Sequence, residues 1–230
     1  MQNIQYILDD IEQAIECKAY LPALALALTL PDMCGKVAGY TNTDSYKNLQ
    51  RELELLKCKE RNDEEKKRFS ELKKMISGYD YKEWLRATIY NEEYSQYLLS
   101  NDWNSKDIAE IIYNLRCAFL HTGETVENAT LTDDDGVKVN YNFELIIEGV
   151  DKFGGSELTM ESKVVERNHD IRLAIVGLCK ELCNGARVYF NENRNNPAWN
   201  DKTIKIVYHE KVESKFGGFY KTTNYQDGAK

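Results

Sequence analysis

Arg116 and His121 stand five residues apart in the run Ile111-Ile-Tyr-Asn-Leu-Arg-Cys-Ala-Phe-Leu-His-Thr-Gly123. Together an arginine and a histidine can cleave a phosphodiester without a metal. An imidazole has an unperturbed pKa that lets it take the proton of a ribose 2′-OH, or protonate a 5′-oxygen leaving group, near neutral pH. A guanidinium stays charged and offers a planar fork of donors to phosphate oxygens, including those on which charge develops in the transition state. The plain structural alternative is an arginine paired to a carboxylate and a histidine closing a helix end, where its charge complements the dipole. Spacing alone favours the plain alternative, because this pair of residue types is common.

The element that must position these groups is a helix. Ile108, Ile111, Ile112, Leu115 and Phe119 recur at i, i+3, i+4, i+7 and i+11, Ser105 can cap the start, Asp107 suits the first turn, and Gly123 stops it. At about 100° per residue, Arg116 and His121 lie about 140° apart and flank the apolar stripe. Tyr113 and Cys117 fill the sector between them. Such a face is poorer in charge than a solvated one and suits an interface. A second copy of the helix across a two-fold axis would bring two Arg and two His to one cleft.

The rest of the chain reads as mainly helical in front and mixed behind. Ile4, Leu8, Ile11 and Ile15 mark an amphipathic first helix. Pro22 suits the first turn of a second, Ala23 to Leu30, apolar on nearly every face and so central in a bundle, and Pro31-Asp-Met-Cys-Gly35 breaks or re-caps it. Thr43-Asp44-Ser45 caps a helix to about Lys59, and Asn62-Asp63 caps another, Glu64 to Ile76. The basic residues Lys66, Lys67, Arg68, Lys73 and Lys74 are balanced by neighbouring carboxylates, so a solvated face is expected rather than an RNA-binding strip. Tyr81 to Leu99 is a further helix. After Thr132-Asp-Asp-Asp-Gly136 the period changes to two, and Val137, Val139, Tyr141, Phe143, Leu145 and Ile147 predict a half-buried strand paired with Val126 to Leu131 as a hairpin. Gly149 to Ser156 reads as loop, His169 to Ile175 as a short strand entering a helix through Tyr189, and Thr203 to Tyr208 as a last strand. Residues 1–125 therefore form a helical core, residues 126–212 a hairpin and late helix on the same structural domain, and residues 213–230 a loosely ordered tail.

A formal charge of −8 argues against broad electrostatic capture of nucleic acid, though not against a local basic cleft. Six scattered cysteines with no C-x-x-C predict reduced thiols and a cytoplasmic protein. The longest apolar run is about a dozen residues and holds Pro22, too short to cross a bilayer, and the N-terminus lacks the basic start of a secretory signal, so no membrane association is expected and the sequon at Asn128 reads as chance. Cys179 and Cys183 have a metal-ligand spacing but no companion cluster, so core is the expected role. The triple Asp lacks the spacing of a calcium loop. His169 is expected to cap an element start and His209 to lie on the surface. Phosphate-loop, dinucleotide, zincin and serine-elbow motifs are absent, and neither a metal nor a cofactor is implied.

The run Leu115-Arg-Cys-Ala-Phe-Leu-His121 resembles the R-x4-6-H motif of HEPN domains, commonly Leu-Arg-Asn-x-x-x-His late in a helical bundle. Ala23-Leu-Ala-Leu-Ala-Leu-Thr-Leu-Pro-Asp-Met-Cys-Gly35 resembles an apolar helix and Pro-Asp-x-Cys-Gly element that accompanies that motif in a group of uncharacterised bacterial and phage proteins. The resemblance spans roughly the first 125 residues. It implies an HEPN-like helical bundle, here with a small β-hairpin-containing C-terminal part (α+β overall), homodimerisation through the motif helices, and metal-independent RNA cleavage in antiviral defence or prophage systems. By it Arg116 would bind and stabilise the scissile phosphate and His121 would be the acid/base. Cys117 departs from the Asn, Asp or His that follows the arginine in active members, and many HEPN-like proteins bind RNA or a protein partner without catalysis. Two expectations follow: a ribonuclease or RNA-binding module, and a non-catalytic dimeric regulator of a protein partner.

Overall fold

The computed structural model describes residues 3–58, 60–90, 105–122, 131–132, 137–160, 163–202, 207–214 and 217–224. It is mainly helical, with a small sheet in the C-terminal part. The helices are α1 (Asn3–Glu16), α2 (Tyr20–Ala27), α3 (Leu30–Ala38), α4 (Asp44–Lys57), α5 (Asp63–Ile76), α6 (Tyr79–Thr88), α7 (Ser105–Thr122) and α8 (Ile175–Glu192).

The helices follow from periodicity and capping. Ile4, Leu8 and Ile11 bury one side of α1 against α2 and α8. Thr43 caps α4 by accepting the Tyr46 N–H, and Asn62 caps α5 through a reciprocal box with Glu65. The apolar stretch after Pro22 is not one helix. It breaks at Leu28–Thr29, where the Thr29 hydroxyl donates to the Leu26 carbonyl at 2.7 Å, and Pro31 sits in the first turn of α3, where its missing N–H costs nothing. The Pro-Asp-Met-Cys-Gly run therefore opens a new helix instead of closing the old one. Tyr20–Asn42 is long and apolar enough to be weighed as a membrane span, yet half of its most apolar window is buried in the bundle. Leu24, Ala27, Leu28, Leu30 and Cys34 are all fully buried, as a central helix pair requires.

The C-terminal part departs from the hairpin-and-tail expectation. Strands β1 (Leu131–Thr132), β2 (Lys138–Ile146), β3 (Lys152–Met160) and β4 (Lys163–Ala174) form a sheet of order β1-β2-β4-β3. The antiparallel pairing of Leu131 with Val139 keeps the end of the expected hairpin; residues 126–130 and the triple-Asp turn lie outside the described residues. The central pairing is instead parallel, β2 with β4, Phe143 beside Ile171 and Leu145 beside Leu173. Gly149 to Ser156 is not all loop, since β3 begins at Lys152 and carries Gly154-Gly155 within it. Likewise Gly217-Gly218 opens β6 (Gly217–Asn224), which pairs with β5 (Val207–Ser214) where a loose tail was expected. In both places ladder pairing overrides the weak strand propensity of glycine. β4 is also longer than expected, and His169 lies mid-strand between Tyr141 and Gly155 rather than capping an element start. Buried Ile171 and Leu173 carry β4 directly into α8, whose Leu178, Cys179, Leu182 and Ala186 join the helical core.

Candidate functional site

α7 runs from Ser105 to Thr122, as its period demands, and buries Ile108, Ala109, Ile111, Ile112, Leu115 and Ala118. Tyr113, Arg116 and Cys117 lie half-buried on its other side. The backbone of His121 falls in the last turn of α7; its side chain, like Gly123, lies outside the described residues. The preceding helix, α6, ends at Thr88 where the sequence pattern placed its end at Leu99; residues 91–104 lie outside the described residues.

Arg116 is joined to Asp32, 84 residues earlier in the first turn of α3. Its Nε and Nη2 both donate to Asp32 Oδ2, at 3.1 and 2.9 Å. Burial by itself would weaken the arginine's hold on its proton, but Asp32 and the neighbouring Cys117 raise its pKa above the ordinary arginine value. The pair is intermediate in exposure, 22% for the arginine side chain and 29% for the aspartate. The two stretches on which the family resemblance rests thus meet through one ion pair.

Gly35 explains how Asp32 is presented. A Cβ at Gly35 would lie 2.3 Å from the Asp80 carbonyl oxygen, so α3 and α6 approach as only glycine allows. Asp80 then accepts from the Thr41 N–H at 2.8 Å and the Thr41 hydroxyl at 3.2 Å, tying the turn after α3 to the start of α6.

Under Arg116 sit two tyrosines. Tyr81 is almost fully buried, its ring edge-on to Tyr113 at 5.5 Å, and its hydroxyl has no hydrogen-bond partner among the described residues. Burial pushes its pKa well above the usual phenol value, and Asp32 adds to that shift. Tyr113 is raised chiefly by burial as well; its hydroxyl shares a 3.0 Å hydrogen bond with Ser77 Oγ, and its ring occupies the place a side chain at Gly78 would take. The Lys82 ammonium lies 5.2 Å from the centre of that ring. Tyr113, expected to face a second copy, is therefore largely engaged within its own chain.

Sequence reasoning quoted Asp32 as part of a motif without seeing its partner, and missed Tyr81, Ser77 and Lys82 altogether. Asp32 was findable, being the carboxylate of the Pro-Asp-x-Cys-Gly element and a natural partner for a half-buried arginine. Lys82 carried no such signal.

Elsewhere, Cys179 and Cys183 are core residues, as expected, with thiol pKa values pushed up to about 12 and about 11 by burial. Among the described residues no group of His, Cys, Asp and Glu is placed to hold a metal ion. No protein-family model, curated protein or solved structure matches the chain.

Proposed function

We propose that this chain is an HEPN-like module that acts on RNA as a homodimer, with the α7 helices meeting across the two-fold axis. The observation that carries this reading is the Arg116–Asp32 pair, which brings the Arg-x4-His helix and the Pro-Asp-x-Cys-Gly helix into one site and fixes the guanidinium by two donors. On this reading Arg116, oriented by Asp32, receives the scissile phosphate. A His121 imidazole takes the 2′-OH proton as the 2′-oxygen attacks phosphorus, the P–O5′ bond breaks, and the 5′-oxygen takes a proton from the His121 imidazolium of the second copy. The products are a 2′,3′-cyclic phosphate and a 5′-hydroxyl, and no metal takes part. RNA incubated with the protein in EDTA should be cleaved to those ends, and His121→Ala and Arg116→Ala should each abolish cleavage. Intact RNA with wild-type protein would sink the catalytic reading.

The same pair favours a second reading, a non-catalytic dimeric regulator that binds a protein partner. Asp32 occupies donors that a phosphate would need, and Cys117 replaces the polar residue expected after the arginine. Here Arg116→Ala lowers stability without changing any RNA-directed activity, which separates the two readings.

A further inference from the structure

On the side of α7 that bears Glu110, a cleft of about 740 Å³ opens between α4, α5, α6 and α7. Its size falls in the range of small-molecule sites. The cleft carries four basic side chains, Arg68, Lys74, Lys82 and Arg86, and three carboxylates, Glu71, Glu83 and Glu110, with Glu52 as a fourth carboxylate on Arg68. The carboxylates act mainly as props. Glu110 and the Lys74 carbonyl hold the Lys82 ammonium at 3.0 and 2.9 Å, and that side chain is only 2% exposed. Arg68 is clamped by Glu52 and Glu71. Glu83 takes Arg86 Nη1, while Arg86 Nε is buried without a hydrogen-bond partner among the described residues. Lys74 is exposed and forms no ion pair among the described residues. Tyr79 and Met75 supply apolar wall beside these donors, and the Tyr79 ring is itself steadied by Tyr46 at 4.9 Å.

An ion-paired ammonium at a buried floor, the Arg86 and Lys74 donors at the rim and an aromatic wall suit one ligand class. We propose that this cleft binds a small organic phosphate, its oxygens taken by Arg86 and Lys74 above the Lys82–Glu110 pair, its body lying against Tyr79 and Met75. A guanidinium fork and an ammonium are the usual phosphate partners, and an aromatic wall accepts any flat or apolar body. Neither Arg116 nor Asp32 lines the cleft, which meets their cluster only through Lys82 beside the Tyr113 ring, and the site does not depend on the RNA reading.

The test is a heteronuclear NMR titration of the full chain with adenosine 5′-monophosphate, ribose 5-phosphate and inorganic phosphate, with adenosine as the phosphate-free control. Saturable shifts at Lys74, Tyr79, Lys82 and Arg86 with the two organic phosphates, and little response to adenosine, are expected. Arg86→Gln and Lys74→Ala should each weaken binding by about tenfold, roughly the value of one charge-assisted hydrogen bond. Lys74→Ala changes an exposed side chain and leaves the carbonyl that holds Lys82, so it reports on binding even if Arg86→Gln perturbs folding. No saturable shifts at these residues with either organic phosphate, an equal response to adenosine, or undiminished binding by Lys74→Ala would overturn the proposal.

Discussion

Two ion pairs on α7 invite comparison. Arg116–Asp32 sits at the position a family motif singles out and is part-exposed, 22% and 29%, whereas Lys82–Glu110 lies in no motif and is 2% and 18% exposed. The first joins the two stretches that resemble HEPN-associated elements. The second pins α6 to α7 and floors the cleft between α4, α5, α6 and α7. The difference teaches that the residue types most suggestive of chemistry need not be the ones whose burial matters most to the fold. An ammonium taken out of water must be held by acceptors on every side, and Lys82 has a carboxylate, a backbone carbonyl and an aromatic face.

The comparison breaks most sharply at the buried pair. Glu110→Ala leaves the Lys82 charge with only a carbonyl and a ring, and should destabilise by about 3 kcal/mol in urea unfolding. Replacing both partners, Lys82→Met with Glu110→Leu, should recover most of that loss, because neither desolvated charge remains. A double substitution as damaging as the single one would show that the pair is worth more than its burial costs.

Next in size is Gly35→Ala, which sets a methyl group against the Asp80 backbone and should cost about 2 kcal/mol by forcing α3 off α6. It also moves Asp32, so any function of Arg116 should fall with it. Asp32→Ala should cost only about 1 kcal/mol, since solvent screens a part-exposed pair. If Asp32→Ala proves more damaging than Glu110→Ala, the ranking of the two pairs is reversed.

Alkaline titration gives a smaller and more gradual effect. Cys34, Cys179 and Cys183 have folded-state thiol pKa values raised above 9.0 by burial, the last two to about 12 and about 11, and buried Tyr81 is raised above 10.0. Unfolded thiols and phenol release their protons first, so stability is fully present below pH 9 and falls as pH climbs from about 9 to about 12. Lys82 runs the other way. Its pKa is lowered by burial from 10.5, so the unfolded chain binds the extra proton and this one group adds stability as pH rises toward 10.5. Lys82→Met should therefore steepen the alkaline loss, while Cys179→Ala should flatten it; unfolding curves across that window decide both.

Helix existence was legible because its causes are local. Thr43, Asn62 and Glu65 announce helix starts by their own hydrogen bonds, and the isoleucines of α7 bury where their spacing says they must. The split between α2 and α3 was half legible. Pro31 marked it, but a proline can end one helix or begin the next, and the Thr29 bond to Leu26 settles which. Gly154-Gly155 and Gly217-Gly218 misled for a physical reason: glycine favours loops locally, and only a neighbouring strand makes it extended.

The site divides the same way. The amino-acid sequence alone determined that Tyr113, Arg116 and Cys117 share the side of α7 away from its apolar stripe, because a helix of 3.6 residues per turn leaves them nowhere else. Only the tertiary structure decided what those groups meet. Asp32 reaches Arg116 across 84 residues because Gly35 lets α3 close on α6, and Lys82 turns inward because Glu110 and the Lys74 carbonyl stand where its ammonium must end. Faces are set by the period of the chain; partners are set by which faces are pressed together.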